Sequence, residues 1–137
     1  MVNTRSKNGE LTEQLFILRA LERDLCVSKP ISYGTSFDFT VTLEDRTVAI
    51  QVKRAYSTHK DSKANWETAD LRSTSARKGN SKPLHDCVDY LAVYSPSYDD
   101  FFIVPRQILG DIRTFNLQSE GKFFKYKGNW DFLDLSA

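Results

Sequence analysis

The sequence predicts one mixed helix–sheet domain, α/β in the broad sense and α+β in its order of elements. Three observations predict it. A single leucine-rich helical repeat lies near the N-terminal end. Several later runs alternate apolar and polar residues with the period of a strand. The whole amounts to 137 residues with 40% hydrophobic and 12% aromatic side chains, enough for one core and too short for two. A helix followed by a meandering sheet and a covering helical turn is the architecture these imply.

The helix is expected over residues 8–25. Leu11, Leu15, Leu18, Leu21 and Leu25 recur at spacings of four and three and form one face, read as the core-facing stripe. A second line runs through Glu13, Phe16, Ile17 and Ala20, which places the Glu13 carboxylate at the rim of an apolar face. Residues 27–31 (VSKPI) read as a short extended piece. The run 37–43 (FDFTVTL) then alternates, with Phe37, Phe39, Val41 and Leu43 on one side and Asp38, Thr40 and Thr42 on the other. The run 48–56 (VAIQVKRAY) does the same, with Val48, Ile50 and Val52 opposed to Ala49, Gln51 and Lys53. The two form a hairpin most simply. If Glu44 faces Thr47, Val41 faces Ile50 and Phe39 faces Val52, while Thr40 faces Gln51 and Asp38 faces Lys53. A slip of one residue would scramble both faces.

Further along, 66–74 reads as a strand, and 88–95 (VDYLAVYS) and 100–105 (DFFIVP) as two more, joined by a turn. Pro105 opens a short helix or turn over RQILGDI, and short strands are expected within 115–126. Trp130, Phe132 and Leu133 are expected to dock on the core. The aromatic C-terminal segment, with Phe115, Phe123, Phe124 and Tyr126 as well, is a candidate oligomer interface or the lid of the core.

Charge is nearly balanced overall, 19 Lys+Arg against 18 Asp+Glu, but unevenly laid out. Residues 53–82 hold eight basic side chains against three acidic, whereas 83–111 hold five acidic against one basic. A basic stretch in a neutral chain points to a local anionic partner; a solvated loop rich in Lys and Arg is the plainer reading. No apolar run is long enough to span a membrane, and the opening MVNTRSKNGE is polar, so an intracellular, cytoplasmic or nucleoid-associated protein is expected. Cys26 and Cys87 make neither a disulfide framework nor a zinc pattern, and Cys26 reads as a core thiol. His59 and His85 have no neighbours that suggest catalysis. Asp89, at a strand start, is expected to bond backbone groups.

The hairpin brings chemistry together. Asp38 offers a hard oxygen ligand suited to Mg²⁺, Gln51 a neutral carbonyl oxygen, and Val52 its backbone carbonyl beside it. Lys53 can stabilise a phosphate oxyanion or orient water, and Glu13 can approach from the helix as a further ligand or hydrogen-bond acceptor. Such a set suits phosphodiester hydrolysis; an ordinary exposed strand with an Asp–Lys pair across it is the alternative.

These residues also carry a resemblance. Gly9 and Glu13 on a helix, Phe37-Asp38, then Ile50-Gln51-Val52-Lys53, resemble the PD-(D/E)XK nuclease superfamily. Asp89–Tyr94 (DYLAVY) and Ile103-Val104-Pro105 extend the likeness over roughly 9–109, toward the intron-encoded homing endonucleases of cyanobacterial type. The resemblance implies a restriction-endonuclease-like core with a central mixed sheet and flanking helices. The active-site core would occupy 1–110 of a single 1–137 domain, leaving 111–137 as the C-terminal segment. It implies Asp38 as the metal-binding acid, Lys53 as the catalytic lysine and Glu13 as the helix glutamate. Gln51 stands where a second acid is usual, a departure that fits the homing branch.

The activity implied is sequence-specific cleavage of double-stranded DNA with Mg²⁺, Mn²⁺ being able to substitute. Lys60, Lys63, Arg72, Arg77, Lys78 and Lys82 are the candidate phosphate contacts, with Arg72 and Arg77 as candidates for reading guanine. Trp66 and Tyr56 could lie against the backbone. Two strands require two sites, hence a homo-oligomer, and relatives of this kind assemble as tetramers. Rival readings are a Holliday-junction resolvase, a restriction-type nuclease, or a non-catalytic DNA-binding module on the same fold.

Overall fold

The computed structural model describes residues 4–32, 36–57, 67–71, 87–117 and 121–135, apart from the side chains of residues 5 and 6. The first helix, α1, spans Thr4–Glu22 and three short strands follow: β1 (Cys26–Ser28), β2 (Phe39–Thr42) and β3 (Thr47–Arg54). Then come β4 (Tyr56–Ser57), β5 (Glu67–Asp70), β6 (Tyr90–Ser95), β7 (Asp100–Pro105), α2 (Arg106–Leu109), β8 (Thr114–Leu117) and a 3₁₀ turn at Phe124–Tyr126. No helix among the described residues is long and apolar enough to cross a membrane.

Helix α1 stops at Glu22, before the expected end at 25. The Leu25 N–H donates to the Ala20 carbonyl and the Asp24 N–H to that of Leu21, with Asp24 left-handed at φ 58°. This is the six-to-one and five-to-two pattern that closes a helix, with an aspartate where glycine is usual. The face that α1 buries also differs from expectation. Thr12, Phe16 and Ala20 are buried, while Leu11, Leu18 and Leu21 are 53, 55 and 57% exposed. Both lines obey helical spacing, so periodicity cannot choose between them. Packing does: the Phe16 ring stacks on Phe39 at 5.5 Å and meets Phe101 and Trp130 at 5.6 and 5.3 Å.

The five-stranded sheet runs β1-β2-β3-β6-β7. The β3–β6 pair is parallel and the rest antiparallel, so the sheet is mixed rather than a meander. A smaller sheet, β4-β5-β8, is wholly antiparallel. Alternation along the strands of the large sheet, β6 above all, feeds two cores. Val48, Ile50 and Val52 meet α1, Phe39, Tyr90 and Phe101 on one face. On the other, Ala55, Leu91, Val93 and Phe102 meet β5, β8, α2 and the aromatic C-terminal segment. The chain leaves the large sheet for the small one at Ala55, a fully buried residue whose N–H still donates to the Tyr94 carbonyl.

The hairpin register differs from the expected one by two residues. Phe39 pairs with Ile50 and Val41 with Val48, closed by a Leu43 N–H to Arg46 carbonyl bond across a longer turn. A two-residue slip preserves both faces, so the apolar pattern is silent about it. Its consequence is that Asp38 comes beside Gln51 rather than opposite Lys53.

Near the C-terminal end, Phe115, Phe123, Tyr126, Trp130 and Phe132 are buried within the chain. Leu133 is 50% exposed and does not dock as expected. Phe132 adopts φ 53°, a strained conformation for an aromatic residue. Its carbonyl is gripped by the Tyr90 hydroxyl and the Arg46 guanidinium, each at 2.7 Å. Cys26, expected in the core, is exposed on edge strand β1. Asp89 bonds backbone as expected: its Oδ2 accepts from the Ala49 N–H at 2.8 Å, and its own N–H donates to the Ala49 carbonyl.

Candidate active site

Strand β2 begins only at Phe39. The preceding Asp38 is still tied to β3, because its N–H donates to the Ile50 carbonyl at 2.9 Å. The Asp38 side chain therefore turns alongside β3. Its Oδ2 accepts from the Val52 N–H at 2.7 Å and from Gln51 Nε2 at 2.9 Å. Asp38 Oδ1 carries no hydrogen bond among the described residues. Because the N–H and carbonyl of one strand residue point to the same side, the Val52 carbonyl lies on the Asp38 side of β3. Gln51 gives its amide nitrogen to Asp38, which leaves its carbonyl oxygen as the remaining polar atom.

Burial pushes the Asp38 carboxyl above the usual range. The Val52 N–H, then the charges of Lys53 and Lys29, act against that shift. Burial also pushes Glu13 up, followed by the Asp38 charge, with Lys29 pulling down and Glu10 adding a small upward push. Of the four residues expected at the site, Gln51 is hydrogen-bonded to Asp38, and Glu13 and Lys53 lie within electrostatic reach of it.

Two residues outside the expected set join them. Lys29 follows β1, whose Ser28 pairs with Thr40, so the register carries it toward the Asp38 end of β2. Its position in sequence gave no cue, since VSKPI had no assigned partner strand. Arg54, next to Lys53, donates to the Thr12 hydroxyl at 3.3 Å and lies 5.3 Å from the Tyr94 ring centre. Thr12 in turn donates to the Asn8 carbonyl at 2.6 Å. The neighbours of Glu13 and Lys53 are thereby tied to each other. An alternating pattern hides such a link, because Arg54 lies on the face opposite Lys53.

The oxygen donors at the site are all hard: two carboxylates, an amide carbonyl and a backbone carbonyl. No group of three or more His, Cys, Asp or Glu suited to a metal occurs among the described residues. A set with few carboxylates fits Mg²⁺, which commonly takes one or two carboxylates and completes its shell with water and substrate phosphate. The expected phosphate contacts Lys60, Lys63, Arg72, Arg77, Lys78 and Lys82 lie outside the described residues, as do His59, His85 and Trp66. Tyr56 is half-buried in β4.

Comparison with known proteins bears on the fold and the family. The solved structure of a bacterial homing endonuclease, I-Ssp6803I, superposes with a TM-score of 0.79. The match covers 94% of this chain and 92% of that one at 22% identity, so the likeness is one of fold. No curated protein sequence matches. The family model of the PD-(D/E)XK endonucleases matches residues 2–126, which takes in α1, the hairpin and both sheets. That span is most of the sequence, and the chain belongs to the PD-(D/E)XK endonuclease family.

Proposed function

We propose that the chain is a Mg²⁺-dependent endodeoxyribonuclease of the homing type. It hydrolyses phosphodiester bonds in both strands of a specific duplex target, and Mn²⁺ can substitute. The observation that carries this reading is the fixed Asp38 carboxylate, held through Oδ2 by the Val52 N–H and the Gln51 amide, with Lys53 within electrostatic reach. Asp38 Oδ1, Glu13, the Gln51 carbonyl oxygen and the Val52 carbonyl are the groups that would hold the cation. When bound, Mg²⁺ supplies Lewis acidity and offsets negative charge on the phosphate.

The chain's own residues do the rest. Two donors hold Asp38 in one orientation, so its free oxygen needs no rearrangement to act. Gln51 serves twice, as donor to Asp38 and as a neutral oxygen facing the site. It keeps a second negative charge away from a carboxylate that burial already disfavours. Lys53 places an ammonium where negative charge develops on the scissile phosphate. Arg54 and Thr12 fix the strand and helix that carry Lys53 and Glu13. The likeness to a homing endonuclease supports a specific duplex target over a branched one. One domain carries one such site, so cutting two strands calls for a homo-oligomer, a dimer or tetramer.

The test is incubation with a pool of randomised linear duplexes and Mg²⁺, with Asp38→Ala and Lys53→Ala alongside. Defined double-strand cuts within one shared motif, reduced at least about 100-fold in both variants, are expected, the size usual for losing an electrostatic catalytic group. Cleavage of a four-way junction alone would replace the homing reading with the resolvase. The neutral Gln51 favours one other reading, a DNA-binding module that does not cut; enrichment of duplexes without cleavage would establish that instead.

A further inference from the structure

Only part of the leucine repeat serves the core: Leu15 and Leu25 pack against it, and the other three leucines do not. The helix buries Phe16 and Ala20 inward, yet Leu11, Leu18 and Leu21 stand more than half exposed on its other side. Three exposed leucines on one face of a helix, flanked by charged residues, are the pattern of a face that meets a partner. At about 100° per residue, Leu18 lies roughly 160° around the helix from Phe16 and roughly 140° from Glu13. Covering this face therefore leaves the Asp38 site open.

We infer that the outward face of α1 docks on the same face of a second copy of this chain, the two helices antiparallel about a two-fold axis between Gln14 and Leu15. This deepens the assembly element of the proposed function and names its surface. A two-fold interface must be self-complementary, because whatever residue i meets in j, j meets in i. About this axis Leu11 meets the partner's Leu18, and Lys7 meets the partner's Glu22, each pair occurring twice. Lys7 and Glu22 are both exposed on the leucine side of the helix. Neither forms an ion pair with another described residue. A parallel pairing would set Lys7 against Lys7 and Glu22 against Glu22. An antiparallel pairing of Leu11 with Leu21 would set Glu10 against Glu22. Charge thus selects the arrangement.

The aromatic C-terminal segment offers no comparable surface, since Phe115, Phe123, Tyr126, Trp130 and Phe132 are spent inside the chain. Among the described residues Ile31, Tyr98 and Leu133 are also exposed, but only α1 carries three exposed apolar residues on one element.

The experiment is sedimentation of the full chain without DNA or metal, so it can fail while the nuclease reading stands. Wild type is expected at twice the chain mass of 15.7 kDa or a multiple of it. Leu18→Glu is expected to reduce that mass at least twofold, with unchanged circular dichroism and with wild-type melting at a concentration low enough for both to be monomers. Lys7→Glu and Glu22→Lys are each expected to weaken association about 5- to 10-fold, the scale of two partly exposed ion pairs reversed in sign. Together they are expected to restore it to within about 3-fold of wild type. A wild type that stays monomeric at about 100 μM, weaker than any specific interface, overturns the inference. So does a Leu18→Glu variant that keeps the wild-type mass. A double charge reversal no better than the single ones overturns the assigned pairing.

Discussion

Phe16 is the residue on which the packing of α1 rests, and its removal tests the burial assignment directly. Its ring is fully buried and meets Phe39, Phe101 and Trp130 at 5.3–5.6 Å, so it joins the helix to β2, β7 and the C-terminal segment. Phe→Ala at such a site costs about 3–5 kcal/mol from lost transfer energy and the cavity left behind. Three aromatic partners, each worth roughly 0.5–1.5 kcal/mol beyond area, place Phe16→Ala toward the upper end. A domain of this size is stable by roughly 5–15 kcal/mol, so about a third or more of the total goes. Urea unfolding followed by circular dichroism measures it, with a fall in Tm of about 10–20 °C accompanying the loss. The control is Leu18→Ala at a concentration low enough for monomer. At 55% exposure it should cost less than about 1 kcal/mol, where a core leucine would cost about 2–5. The reasoning is refuted if Leu18→Ala is the more damaging, for then the leucine stripe faces the core after all.

Gln51→Glu restores the acid usual in the family but turns the 2.9 Å donor contact to Asp38 into a meeting of two carboxylates. Like charges at this range disfavour ionisation of both. The variant is expected to melt lower than wild type without divalent cation at pH 7, and to gain more in Tm than wild type on adding Mg²⁺; equal gains would contradict the role given to Gln51. A second prediction concerns acid. The Tyr94 hydroxyl, donating at 2.6 Å, and the Arg19 guanidinium hold the Asp99 carboxyl below the usual range. A carboxyl lowered in the folded state adds stability above its unfolded value near ~3.9 and loses it as pH falls through the folded value. Asp99→Asn should therefore flatten the decline in stability below about pH 4 and lower Tm at pH 7, read from melts across pH; an unchanged acid limb would remove Asp99 from the account.

Much of the site was legible because its chemistry lies on alternating strands. Asp38, Gln51 and Lys53 share a face in any register that keeps the apolar residues together, so a two-residue error in pairing left the cluster intact. The same insensitivity is why the direct Asp38–Gln51 contact could not be read. The strands themselves, and the burial of Val41, Val48, Ile50 and Val52, followed from alternation. Helix α1 was different. Two apolar lines of equal regularity ran along it, and only the aromatic cluster of Phe39, Phe101 and Trp130 decided which turned inward. The parallel pairing of β3 with β6 is a long-range contact, and no local pattern encodes strand direction. Lys29 and Arg54 escaped notice because each gains its neighbours from an element distant in sequence.

That parallel pairing has a kinetic consequence. The residues that build the candidate site lie on α1 and the β2–β3 hairpin, yet Ile50 gains its second neighbour strand, and Lys53 its pairing with Val93, only when β6 arrives. The loop between must close before the contact returns any free energy, which slows folding. During synthesis the segment carrying Asp38 and Lys53 leaves the ribosome with one edge of β3 still unpaired. It waits for the β6–β7 hairpin to seal it, so the candidate site takes its final form late, as the last strands of the large sheet go in.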